Sequence, residues 1–182
     1  MTEHRSARKL QTLDALALCS SARVHGILLR SRVMEEQTEA LRVFTISEVN
    51  ALIPALSSLV REQLREQSEI EHGLAELMRL TGEPPRSLER SSADSAEVVR
   101  LKTELRRRIS HYETGWQRVQ KWGGVVKDPQ TGLVDFYGRV DGKLVWLCWR
   151  YGEDTLGYYH ELTAGYSGRR PLSADVRRKL VN

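Results

Sequence analysis

The chain has 182 residues, 40% of them apolar, with a net charge of +4 and two cysteines, Cys19 and Cys148. That length suffices for one domain with a buried core, and two distant cysteines form no metal-type pair, so the expected setting is reduced and cytoplasmic. The charge argues against a nucleic-acid binder, because residues 1–33 carry six Lys/Arg against Glu3 and Asp14, while the later chain holds 22 charges of each sign and so has no global field for phosphate.

The arm, residues 1–43, has no steady period. Its most apolar piece, Leu13–Cys19, is broken by Asp14 and is too short to cross a bilayer. It also lacks a convincing export pattern. Met34 opens a more conventional start, so residues 1–33 are expected to be an upstream extension, or else a disordered tail. The folded domain is expected over 44–172, with a short helix over 173–182.

Thr45-Ile46-Ser47-Glu48 is a capping box, with Phe44 and Val49 at the positions of a hydrophobic staple. Apolar residues then recur at helical spacing from Val49 to Met78. Pro54 removes one backbone donor inside this helix and is expected to kink it. The helix ends at Thr81-Gly82, ahead of Pro84-Pro85. Glu83–Ser95 is a polar linker, expected to be mobile, with Ser91 or Ser92 to cap the next helix.

The second helix carries a narrow seam: Val98, Leu101, Leu105, Ile109, Tyr112, Trp116 and Val119. Steps of three and four are the coiled-coil kind. Its arginines alternate with glutamates, which is the pattern of a solvated face. Two such helices joined by a linker predict an antiparallel hairpin over 45–122. The seam also suggests a homodimer through the helices.

At Gly123-Gly124 the period changes from helical to alternating. Val125–Lys127, Leu133–Val140 and Lys143–Arg150 are predicted strands, with Leu156–Leu162 as a fourth. Asp141-Gly142 makes a tight hairpin turn. The fold class is therefore α+β: a long helical hairpin followed by a three- to four-stranded antiparallel meander over 124–172.

Alternation places Leu133, Asp135 and Tyr137 on one face, Leu144, Trp146 and Cys148 together on the next strand, and Leu156, Tyr158 and His160 together on the last. A carboxylate between apolar neighbours needs a partner, because burying it unpaired is costly. Asp135, Glu153 and His160 are thus the candidate catalytic and metal-binding set, with Glu161 or Cys148 as further ligands. Carboxylates with one imidazole suit Zn, Mn or Fe, and an Asp–His pair equally moves a proton. Trp149, Arg150, Glu161, Tyr166, Arg169 and Arg170 interleave charge with aromatic surface and are the candidate binding residues. His160-Glu161-Leu162-Thr163-Ala164 is not the two-histidine zinc helix, since Ala164 stands where the second histidine belongs.

The run Lys127-Asp128-Pro129, Gly132–Phe136, Asp141-Gly142, Leu147–Arg150, Gly152-Glu153, His160–Leu162, Gly165-Tyr166 and Arg169–Leu172 resembles the bacterial domain-of-unknown-function family 2203. The helix opening at Phe44–Leu56, with Asn50 and Pro54, is similar to the start of that family. The resemblance spans about residues 43–172 and implies no particular activity. Three functions then fit the residues. The first expectation is a binding or oligomeric scaffold whose Asp/Glu/His/Arg cluster is an ionic network. The alternative is a metal-dependent or acid/base enzyme using Asp135, Glu153 and His160. The third is a nucleic-acid or nucleotide binder stacking bases on Trp146, Trp149, Tyr158 and Tyr159; a Gly-rich phosphate loop is absent.

Overall fold

The computed structural model describes residues 41–180; the expectations for residues 1–40 lie outside them. Helix α1 spans Ile46–Thr81 and helix α2 spans Ala96–Lys121. Five strands follow: β1 (Val125–Asp128), β2 (Leu133–Val140), β3 (Lys143–Arg150), β4 (Tyr158–Glu161) and β5 (Arg170–Pro171). They form one antiparallel sheet in sequence order. Helix α3, Ala174–Lys179, closes the described chain. The hairpin-plus-meander architecture is as expected, with one more strand. That fifth strand is two residues long, and its Pro171 has no N–H to donate, which suits a sheet edge.

The capping box forms as the sequence predicts. Thr45 Oγ1 accepts from the Glu48 amide at 3.1 Å, and Glu48 Oε2 accepts from the Thr45 amide at 2.8 Å. These bonds hold the Glu48 carboxyl below its ordinary pKa. Phe44 and Val49 are buried in one cluster, and the Phe44 amide donates to the Tyr137 carbonyl at 2.7 Å. The start of α1 is thereby tied to β2. Thr45→Ala removes one half of the box and is expected to lower stability by about 1 kcal/mol in urea unfolding; an unchanged midpoint would deny the cap any role.

Helix α1 runs through Pro54 as one element of 36 residues, about 54 Å at 1.5 Å per residue. The seam of α2 is spent inside the chain. Val98 and Leu105 pack with Ile70 and Leu77 of α1, and Trp116 and Val119 join the larger core beneath the sheet. Arg108 adds a 3.0 Å ion pair to Glu66 across the hairpin. The cap of α2 is Ser95, not Ser91 or Ser92. Asp94 explains the shift: it accepts from the Ser91 amide and pairs with the buried Lys102 at 2.9 Å, so the turn is completed one step later. Lys102 also donates to the Glu89 carbonyl at 3.1 Å, which pins the linker expected to be mobile onto the hairpin.

Between α2 and β1 the chain reverses at Gly123, whose φ of +88° suits glycine. A Cβ there would stand 2.5 Å from the Phe44 ring. At Asp141-Gly142 both residues have positive φ, 49° and 76°, the signature of the turn that matches sheet twist. It sets Val140 opposite Lys143 and fixes the whole β2–β3 register. One sheet face, with Val134, Phe136, Val145, Leu147 and Trp149, packs on the helices. The Asn50 side chain accepts from the Leu156 amide at 2.8 Å, anchoring the β3–β4 connection to α1. Among the described residues no helix is long and apolar enough to cross a membrane.

Candidate metal centre

The opposite face of the sheet carries the chemistry. Asp135 on β2 lies directly across from Cys148 on β3, and Trp146 on β3 lies across from His160 on β4. Asp135 and His160 therefore meet diagonally over β3. Their Oδ2 and Nε2 atoms are 3.0 Å apart. Asp135, Cys148 and His160 each offer a ligand atom, and these atoms all lie within 4.8 Å of one another. All three residues are buried.

The histidine is oriented by its neighbour. Nδ1 lies 2.9 Å from the Glu161 carbonyl oxygen, which can only accept, so Nδ1 carries the proton. Nε2 then faces Asp135, and a contact of 3.0 Å between an imidazole nitrogen and a carboxylate oxygen needs a proton or a cation between them. The other carboxylate oxygen, Asp135 Oδ1, is buried without a hydrogen-bond partner. Lys127 Nζ is 4.0 Å from Oδ2, too long to satisfy it. Burial, and then the adjacent Asp135 carboxylate, push the Cys148 thiol well above its ordinary pKa. With no metal bound, the thiol therefore keeps its proton at neutral pH.

Asp135 and His160 reach a cleft of about 470 Å³, walled by Lys127, Trp146, Arg150, Leu162 and Tyr166. Asp128 also borders it, but its carboxylate is turned to the Gln130 amide and the Thr131 hydroxyl, at 2.9 and 2.7 Å.

The sequence-predicted set is brought together only in part. Asp135 and His160 converge, whereas Glu153 does not join them: Cys148 supplies the third donor. Glu153 sits in the turn after β3, where its carboxylate accepts from the Arg150 amide at 2.9 Å and from Arg169 at 2.6 Å. Trp149 is fully buried on the helix-facing side, its indole donating to the Glu153 carbonyl at 2.8 Å. It reaches neither cleft nor solvent. Arg150 and Tyr166 do stand at the cleft, joined by a 2.9 Å hydrogen bond. Arg169 lies over the rings of Tyr158 and Tyr166. Arg170 and Glu161 form an exposed pair at 3.7 Å, a geometry worth little. Glu161 contributes to the centre through its carbonyl rather than its carboxylate.

No curated protein and no solved structure matches the chain. The fold that sets Asp135, Cys148 and His160 together occupies the same stretch that a family model covers, residues 42–172, and the chain belongs to that family, DUF2203, described as an uncharacterized conserved protein.

Proposed function

We propose that Asp135, Cys148 and His160 bind one divalent metal and that the protein is a metal-dependent enzyme working from the adjoining cleft. The observation that carries this is the donor set itself. A thiol, an imidazole and a carboxylate share one buried point, and the outer nitrogen of the imidazole is already committed to a backbone carbonyl. That commitment leaves Nε2 as the free donor, the usual support of a metal-ligating histidine.

The charges favour the same conclusion. A divalent cation balances one thiolate and one carboxylate, gives Asp135 Oδ1 a partner, and removes the burial penalty that holds the Cys148 proton in place. Of the metals that carboxylates and imidazole suggest, thiolate selects zinc or iron over manganese. Tetrahedral zinc puts its donors about 3.3–3.8 Å apart. The Asp135–His160 contact at 3.0 Å would therefore open slightly, while the widest separation, no more than 4.8 Å, would close by about 1 Å. Three protein ligands leave a fourth position for water or substrate, the arrangement of catalytic rather than structural zinc. Asp135 and His160 border the cleft, so that position is reached from it.

A metal-free acid/base pair is the second reading, favoured by the short Asp135–His160 contact. The scaffold reading draws no comparable support. The apolar seam on which a helix-mediated homodimer was expected is covered within the chain, and the Glu153 network stands apart from the buried set.

Elemental analysis of protein purified without chelator is expected to find about one zinc or iron per chain. Cys148→Ser and His160→Ala should each lose it, whereas Glu153→Gln should keep it. Cobalt substitution supplies an independent readout, because a thiolate–cobalt charge-transfer band should appear in the parent protein and vanish in Cys148→Ser. A parent protein that takes up neither native metal nor cobalt would leave the acid/base pair in its place.

A further inference from the structure

The cleft beside the buried set has a charge pattern of its own. Lys127 and Arg150 approach it from opposite sides of β2, and each has spare bonding capacity. Lys127 Nζ rests 3.7 Å over the Trp146 ring, and its nearest carboxylate, at 4.0 Å, is the buried Asp135. Among the described residues the Arg150 guanidinium makes no ion pair; it donates to the Tyr166 hydroxyl and lies 5.9 Å over that ring. The other bordering acid, Asp128, is occupied by its own turn. The cleft therefore presents one cation without an ion pair, Arg150, and a second, Lys127, held only by a long 4.0 Å contact to Asp135. Between them the wall is apolar: Leu133 and Trp146 form the floor, and Leu162 and Tyr166, 44% and 48% exposed, stand at the rim.

Such a surface suits one class of ligand. A neutral apolar molecule would leave Arg150 unanswered and Lys127 only loosely paired, and an inorganic anion would leave the aromatic and leucine surface bare. We infer that the cleft binds a small organic anion, its carboxylate or phosphate group held between Lys127 and Arg150 and its apolar body laid against Trp146, Leu162 and Tyr166. This deepens the proposed function by naming its substrate class, and it rests on that reading for the cleft but not for the identity of the metal. Arg150 is suited to clamp the anion, since its guanidinium presents parallel donors to an oxyanion. Lys127, lying beside Asp135, sets the anionic group next to the fourth position of the proposed centre.

Calorimetric titration of the full chain with benzoate, phenyl phosphate, inorganic phosphate and neutral benzamide tests this, with and without prior chelator treatment. Benzoate or phenyl phosphate should bind at least about tenfold more tightly than benzamide and than inorganic phosphate. Whichever of the two is tighter identifies the anionic group. Lys127→Met and Arg150→Met should each weaken that binding by about tenfold or more; both side chains lie at the surface, so both variants should fold. Equal affinity for benzamide, or affinity unchanged in both variants, would overturn the inference. The two proposals fail separately. Anion binding that persists in protein shown to take no metal upholds the cleft and removes the centre, and a metal-loaded protein indifferent to every anion does the reverse.

Discussion

Replacing Trp149 with alanine is expected to cost about 3–5 kcal/mol of stability, near the top of the range for a single substitution. Among the described residues Trp149 is the largest fully buried side chain, set among Val134, Leu147 and the helix residues beneath the sheet. Truncation leaves a cavity that the paired strands β2 and β3 cannot close without breaking register. It also strands the Glu153 carbonyl that the indole N–H satisfies at 2.8 Å. Trp149→Phe separates the two effects, keeping most of the volume and losing the hydrogen bond, and should cost about 1–2 kcal/mol. Urea unfolding followed by far-UV circular dichroism gives both numbers. The outcome separates a core role from a ligand-binding one. A tryptophan used for stacking would leave stability within about 1 kcal/mol of the parent, as surface substitutions do.

The sequence marks Trp149 as a binding residue, and only the packing of the sheet on the helices shows it to be core. Most of the fold, by contrast, is legible in the sequence. Thr45 and Glu48 announce the start of α1 because a capping box is a local event, settled within four residues. Asp141-Gly142 is equally local, and its consequence reaches further. A two-residue hairpin turn pairs Val140 with Lys143, and counting outward puts Asp135 opposite Cys148. The sequence therefore carries the signal that brings Cys148 beside Asp135. Its residue type makes Glu153 look like a metal ligand, but three positions beyond Arg150 it belongs to the turn, where the Arg150 amide claims its carboxylate. Convergence of His160 was legible from alternation, though its distance from Asp135 was not. That depends on how β4 registers on β3 after a connection anchored by Asn50, a contact between residues 106 positions apart. The cap of α2 is hidden in the sequence for a similar reason: Asp94 is drawn to Lys102, eight residues on.

Arg169→Ala should be the other severe change, with an expected loss of about 3–5 kcal/mol, because it leaves a carboxylate unpaired in a partly closed site. Its Nη2 donates to both oxygens of Glu153, at 2.6 and 2.9 Å, and lies 3.4 Å from the Cys148 carbonyl. The two side chains are only 9% and 20% exposed, so water screens them little. Burial works against the charge on Arg169, yet the Glu153 carboxylate outweighs it and raises the guanidinium pKa above its ordinary value. The ring of Tyr158, 4.0 Å from the guanidinium carbon, adds a cation–π contact. If the loss comes from a stranded Glu153, then Arg169→Ala combined with Glu153→Gln should recover a good part of it, giving a coupling of about 1–3 kcal/mol in a double-mutant cycle. Additive losses would show that Arg169 stabilises through its aromatic contacts instead. On the proposed metal reading, the bridge should also support the centre. Arg169 spans the backbone at Cys148 and the turn after it, so its removal loosens the strand that carries Cys148. Metal affinity should then fall in Arg169→Ala although Asp135, Cys148 and His160 are unchanged. Glu153→Gln, which keeps the hydrogen bond from Arg169, should leave affinity close to that of the parent. Competition against a chromogenic chelator compares the two variants directly, and equal metal affinity in both would confine the Arg169–Glu153 bridge to stability alone.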